Sequence, residues 1–260
     1  MRDLDLLIQA AEAAGDIATG FFRGQNDVWH KPDGAGPVTE ADLAVDGMLR
    51  DTLLKARPDY GWLSEETEDT SDRLDRDKVF IVDPIDGTRS FVDGSSTWAH
   101  SLAVAERGVI TAAVVFLPVR GKLYAAASGE GATLNGSAVQ PDWHAPSSGA
   151  SVLATRPTMD KRNWPGGVPD IDRQHRPSLA YRLCLVAEGR FNAMLTLRKS
   201  WEWDIAAGAL ILSEAGAVVT DQRGGDLKFN NPHPQSNGVV ASGQALHSDF
   251  MLRLGADQDR

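Results

Sequence analysis

A single cysteine, Cys184, leaves no partner for an intrachain disulfide, and that scarcity fits a reducing compartment. It sits in the apolar run Leu183-Cys184-Leu185-Val186 and reads as a buried structural thiol. Basic residues are also short. Against 36 Asp and Glu there are 26 Lys and Arg, a net charge of −10, which argues against a nucleic acid polymer as partner. No apolar stretch approaches the roughly 20 residues that cross a bilayer. The charged opening Met1-Arg2-Asp3-Leu4-Asp5 lacks the apolar core of a signal peptide, so a cytoplasmic protein with no membrane partner is expected. Six histidines are scattered without the close pairing of a zinc site. A glycine-rich phosphate loop and a dinucleotide fingerprint are both missing. An EF-hand loop fails as well, because Asp83 and Asp86 fall at first and fourth positions rather than alternating.

What is present is an ordinary globular composition, 42% hydrophobic, enough for a large core in one domain or two closely packed halves. Leu7, Ala11, Ala14, Ile17 and Phe21 recur at helical spacing and predict a helix over 4–22. A second helix is expected from Thr39 to before Pro58. Residues 79–82 read as a buried strand, and 101–105, 109–116 and 123–127 as antiparallel strands. The turn-rich stretch 140–149 is the best internal boundary. It divides an N-terminal α+β half, 1–145, from a C-terminal α/β half, 146–260. In the latter, strands at 151–154, 193–197 and 217–220 alternate with helices at 179–188 and 205–215. Residues 164–169 are expected to form a surface loop bordering a ligand.

The richest chemistry lies in Asp83-Pro84-Ile85-Asp86-Gly87-Thr88, placed where the predicted strand ends and the chain turns. Two hard cations about 3.5–4 Å apart can bind a phosphoryl group and activate water, and they need gathered carboxylate oxygens. Pro84 helps set the turn, Gly87 permits close backbone approach, and the N–H groups of Gly87 and Thr88 suit phosphate oxygens if a helix starts there. Read alone, the same residues also make a well-formed surface turn. Each of the other acids has a plain alternative: Glu65-Glu66 as a solvated patch, Asp42 as part of a capping box with Thr39, Asp204 as a helix N-cap. Lys31 alone reads as a solvated loop cation.

Together, Asp83-Pro84-Ile85-Asp86-Gly87-Thr88 and Trp203-Asp204-Ile205-Ala206-Ala207-Gly208, about 120 residues apart, make the chain resemble the inositol monophosphatase superfamily. Val38-Thr39-Glu40-Ala41-Asp42 and Ser64-Glu65-Glu66 precede them in the expected order. The resemblance overrides the separate readings of the single acids. It implies an α/β fold, a layered alternating α-β-α-β-α sandwich, forming a homodimer and hydrolysing small phosphomonoesters with two or three Mg²⁺ ions. It implies Glu65, Asp83, Asp86 and Asp204 as metal ligands, with the Ile85 carbonyl completing one site. Asp42 and Thr88 would orient the attacking water with Glu65 assisting. Gly87 and Thr88 would contact phosphate through their backbone, with Lys31 as a phosphate-side lysine.

Substrate follows from departures. Inositol-specific members usually carry a glutamate seven residues before the Trp-Asp aspartate, where this chain has Leu197, followed by Arg198 and Lys199. Cations there suit a substrate with a second phosphate, Arg198 being the expected contact, although exposed basic residues are equally ordinary. Ser64-Glu65-Glu66 and Leu183-Cys184-Leu185-Val186-Ala187-Glu188-Gly189 are similar to CysQ-type bisphosphate nucleotidases, which release the 3′-phosphate of 3′-phosphoadenosine 5′-phosphate to leave AMP. Arg89-Ser90-Phe91-Val92-Asp93-Gly94 with Trp98 is similar to histidinol-phosphate phosphatases. The nucleotidase is the expected activity, with inositol monophosphatase or histidinol-phosphate phosphatase as alternatives. The intact acids and Thr88 weigh against a regulatory or scaffold protein on a phosphatase fold.

Overall fold

Along the strand Lys78–Asp86, Val79 and Ile81 face one side and Phe80 and Val82 the other, as the two-residue period requires, and both sides are buried. A sheet buried on both faces must be covered twice. In the computed structural model, which describes residues 1–24, 27–30, 36–139, 141, 143–144 and 148–255, that sheet has seven strands. Gly61–Ser64 pairs in parallel with Lys78–Asp86, and Ala99–Glu106, Val109–Leu117, Lys122–Ala127, Ala132–Leu134 and Ser137–Ala138 follow antiparallel.

Helices α1 (Asp3–Phe21) and α2 (Glu40–Ala56) cover the face carrying Phe80, Val82, Leu102 and Val114. After the short helix α3 (Thr88–Val92) come α4 (Leu179–Ala187) and α5 (Glu202–Glu214), which cover the opposite face through Val79, Ile81, Ala103 and Val115. Leu183 and Ile205 lie in the same core as Leu153, Met194 and Ala241 of a second sheet. Its five strands run in the order Ile171–Gln174, Ala150–Ala154, Ala193–Thr196, Val239–Ser242, Val218–Thr220. The far face, with Val152, Leu195 and Val240, packs on Leu246 and Phe250 of helix α6 (Gln244–Leu254). The result is the α-β-α-β-α sandwich expected from the motifs.

Being sandwiched, α5 is apolar all round, with Ile205 through Leu212 buried, as suits a helix with no solvent face. Gly208 makes its contact with α4 possible, since a Cβ there would lie 2.6 Å from Leu183. Helix and strand centres match the sequence pattern, but three local expectations change. The stretch 164–169 is a surface loop, as expected, but none of it lines the cleft around Asp83, and Trp164 is buried and donates its indole N–H to the Thr158 carbonyl at 2.8 Å. Asp83 and Asp86 do not follow the strand as a turn; the strand continues to Asp86, with a register shift against its neighbour between them. Asp204 is not an N-cap, because α5 begins two residues earlier, with Trp201 at the cap.

Candidate active site

Asp83 pairs with Ser101 and Asp86 with Ala99, so three steps along this strand face two along its neighbour, and the bulge lies between the two buried acids. Gly87 then turns the chain at φ 99°, a left-handed conformation that suits glycine, and α3 starts at Thr88. Thr88 Oγ1 lies 3.1 Å from the Ile85 carbonyl and 3.2 Å from Asp42 Oδ1. The other Asp42 oxygen accepts from the Thr39 N–H at 2.8 Å and the Thr39 hydroxyl at 2.6 Å. The two readings of Asp42 therefore coexist, one oxygen closing the capping box and the other holding Thr88.

Glu65 reaches the site because Gly61–Ser64 runs parallel to the Asp83 strand, and its N–H continues the ladder to the Val82 carbonyl at 3.2 Å. Asp46 of α2 fixes the turn beyond it, accepting from the Ser64 hydroxyl and, at 2.6 Å, from Thr67. Asp204 arrives from the other end of the chain. Ser101, paired with Asp83 across the sheet, donates to the Trp203 carbonyl at 2.9 Å and so ties the first turn of α5 to that strand. Among the described residues, oxygens of Glu65, Asp83 and Asp204 lie within 4.8 Å of one another. Asp86 lines the same cleft without joining that trio. Its Oδ2 accepts from Ser178 Oγ at 2.7 Å and the Ala180 N–H at 2.6 Å, at the start of α4. Ser178, the N-cap of that helix, has φ 61°, a strained setting for a non-glycine.

Asp83 is 1% exposed, yet among the described residues neither of its oxygens has a hydrogen-bond partner. Burial, then repulsion from Glu65, Asp86, Asp204 and Asp42, pushes its carboxyl well above the ordinary range. An unpaired buried carboxylate is costly, and this one is surrounded by acids. Oxygen donors converging on an unsatisfied anion fit a hard divalent cation, so Glu65, Asp83 and Asp204 could hold a metal, with Asp86 and the Ile85 carbonyl beside them. Burial also raises Asp42 to about 6, against the hydrogen bonds from Thr39, which lower it.

Glu65, Asp83, Asp86 and Asp204 line a cleft of about 1440 Å³ together with Gly87, Thr88, Leu197 and Arg198. Lys31 lies outside the described residues. Sequence reasoning missed Arg182 and His175, which also line the cleft. Arg182, 9% exposed, donates to the Arg176 carbonyl and, at 2.9 Å, to His175 Nε2, which places the imidazole proton on Nδ1. Burial and then Arg182 lower the His175 pKa, keeping the ring neutral. Trp201 also lines the cleft, 38% exposed, and stacks on Trp203 with centroids 4.8 Å apart and planes at 9°.

Behind the Asp83 strand, fully buried His100 donates from Nδ1 to the Pro84 carbonyl, and among the described residues its Nε2 has no partner. Burial lowers its pKa from 6.5 to about 4. The unfolded chain therefore gains a proton that the folded chain refuses. The stability His100 contributes is complete above about pH 6.5 and is lost as pH falls towards 4. In full this amounts to something on the order of 3 kcal/mol. In a thermal melt series between those limits, His100→Asn is expected to lose stability less steeply than the wild type; parallel slopes would count against this account.

Residues 2–254 match the model of the inositol monophosphatase family. An inositol-1-monophosphatase of Rhizobium meliloti is 35% identical over 85% of this chain and 86% of its own length. A histidinol-phosphatase of Chlorobaculum parvum is 32% identical over 99% of both chains. Among solved structures, the Thermotoga maritima IMPase superposes with a TM-score of 0.81 at 27% identity, covering 100% of this chain and 99% of the other.

Proposed function

We infer the activity from a firm premise: the chain belongs to the inositol monophosphatase family and is a phosphomonoesterase. Our reading is that it works with Mg²⁺ and that its substrate carries a second anionic group, 3′-phosphoadenosine 5′-phosphate being the best fit.

Glu65, Asp83, Asp86, Asp204 and the Ile85 carbonyl would hold the cations, which when bound supply positive charge at the phosphate and water acidic enough to react near neutral pH. The protein side of the chemistry is a proton path. Asp42 Oδ1 accepts the Thr88 hydroxyl proton, so the lone pairs of Oγ1 are left to accept a proton from an attacking water. A carboxyl raised to about 6 is poised to share that proton near neutrality. Glu65, at the edge of the same cleft, would assist. The backbone N–H groups of Gly87 and Thr88 would steady the phosphate oxygens.

One observation carries the substrate reading: Arg182, a nearly buried guanidinium lining the cleft, has its donors partly committed to His175 and Arg176, and Arg198 and Lys199 line the same cleft. Leu197 there offers nothing to sugar hydroxyls. Stacked Trp201 gives a planar surface suited to a base. The test is phosphate release from 3′-phosphoadenosine 5′-phosphate, inositol 1-phosphate and histidinol phosphate under one set of conditions. The bisphosphate is expected to lead in kcat/KM by at least about tenfold. Arg182→Met should remove most of that lead, since a charge-assisted hydrogen bond contributes about 1.5–3 kcal/mol. Preference for histidinol phosphate or inositol 1-phosphate in the wild type would overturn the reading.

A further inference from the structure

The three gathered acids come from separate pieces of chain, and two of them, Glu65 and Asp204, sit on arms outside the Asp83 strand. Glu65 follows the strand Gly61–Ser64, and Asp204 occupies the first turn of α5. A second buried polar cluster, away from the cleft lining, joins those two arms.

Glu202 opens α5 two residues before Asp204 and is 0% exposed. Its Oε2 accepts from the Asn230 N–H at 2.6 Å; its Oε1 accepts from the Asn231 N–H at 3.0 Å and the Asn231 side-chain amide at 2.7 Å. Asn230 holds a left-handed φ of 59°. From the other side the same two residues meet Arg73, 2% exposed, which donates to Asn230 Oδ1 at 2.6 Å and the Asn231 carbonyl at 2.9 Å. Arg73 is held in turn by Asp69 at 2.6 Å and lies directly against Gly61, where a Cβ would come within 3.0 Å of the arginine Cβ. Gly61 begins the strand that delivers Glu65. The order of contact is thus the Glu65 strand, Arg73, Asn230-Asn231, Glu202, Asp204.

We propose that Glu202 and Arg73 are positioning residues that clamp residues 230–231 between them and so set the separation of Glu65 and Asp204. Stability alone is a poor reason for the arrangement. Burial penalises the Glu202 carboxylate, and buried ion networks are often matched by apolar residues of similar size. What charge adds is direction: three donors of the loop converge on one carboxylate and two acceptors of the loop on one guanidinium, which fixes the loop in a single register. The loop leads on to His233, whose ring lies 5.6 Å from Trp201, and to the pairing of Gln235–Ser236 with Ser200–Trp201. The stacked indoles therefore report on the same clamp.

This inference rests on the metal reading of the acids, and the experiment separates the two. Free Mn²⁺ is followed by electron paramagnetic resonance during titration of the full-length wild type, Asp83→Asn, Glu202→Gln, Arg73→Met, the double variant and Glu188→Gln. Glu188 is a control with a side chain 8% exposed: it accepts from Lys122 at 2.6 Å and Tyr124 at 2.9 Å, partners outside the clamp. Gln at 202 offers one acceptor where three donors converge, so Mn²⁺ affinity is expected to fall tenfold or more, with an altered near-ultraviolet dichroism from the Trp pair. Arg73→Met should act alike, and the double variant no worse than the weaker single, because both work through one loop. Glu188→Gln should lower melting temperature and leave Mn²⁺ affinity near wild type. Wild-type affinity in folded Glu202→Gln, or equal losses in the Glu202 and Glu188 variants, would overturn the clamp. Equal Mn²⁺ binding by wild type and Asp83→Asn would instead remove the metal reading, and this inference with it.

Discussion

Asp83→Asn is expected to abolish phosphate release, by about 10³-fold or more, while leaving the metal-free protein at least as stable as the wild type. The kinetic part follows from the position of Asp83 at the centre of the acids: losing several kcal/mol of charge stabilisation at a metal centre is worth three or more powers of ten. The stability part runs against the usual rule that changing a buried residue destabilises. Asp83 has no donor to lose, and four acids raise the cost of its charge. Removing that charge without changing shape should raise the melting temperature of the metal-free protein by roughly 2–4 °C, the equivalent of about 1 kcal/mol in a chain of this size. Adding Mg²⁺ should reverse the ranking, because only a site that binds the ion gains from mass action. The comparison needs thermal melts with and without Mg²⁺ beside a phosphate-release assay. A variant that turns over near the wild-type rate would end the assignment, and one that melts well below the wild type without metal would show that Asp83 has a structural partner.

Thr88→Val and Asp42→Asn are expected to reduce kcat by about 10²–10⁴-fold each, the usual range for a lost proton-transfer group. They share one hydrogen bond, Thr88 Oγ1 to Asp42 Oδ1 at 3.2 Å. The double variant should therefore be no worse than the poorer single, as for groups that act as a unit. Mn²⁺ binding should survive in both singles, in contrast to Asp83→Asn. Asp42→Ala carries an additional structural cost of about 1 kcal/mol, because its second oxygen closes the capping box with Thr39. Single-turnover rates and melting temperatures on the three proteins separate the two functions of this residue. Additive losses in the double variant would show that Thr88 and Asp42 act on different steps.

Much of this was legible because the signals are local. The helical repeat of Leu7, Ala11, Ala14 and Ile17 and the apolar run at 79–82 each report a burial pattern that neighbours in sequence establish. The Thr39–Asp42 capping box is likewise a matter of spacing, and the structure forms it. The acids at 83 and 86 could be seen to matter, yet not how the strand carries them, because a bulge depends on the partner strand. Asp204 read alone also fits a helix cap, since nothing in its own neighbourhood reveals that Glu202 and Trp203 already belong to the helix, and only the joint motif match set that reading aside.

The residues that escaped notice share a physical reason. Ser178 matters to Asp86 from 92 positions away, and Ser101 to Trp203 from 102. Arg182 looks like one more residue of an amphipathic helix until folding buries it beside His175, facing the acids. Glu202 reads as an ordinary acid in a helical first turn, and only the approach of Asn230 and Asn231 makes it the receiving end of a clamp. The sequence by itself determined the class of chemistry only through its motifs taken together, since each acid read alone also fits a turn, a cap or a solvated patch. The layers came with the resemblance that the two motifs carry, and the structure forms that sandwich. Tertiary structure alone decided the distances among carboxylates, which oxygens remain without donors, and the charge that lines the cleft. Those quantities depend on contacts between segments far apart in the chain, and no local pattern encodes them.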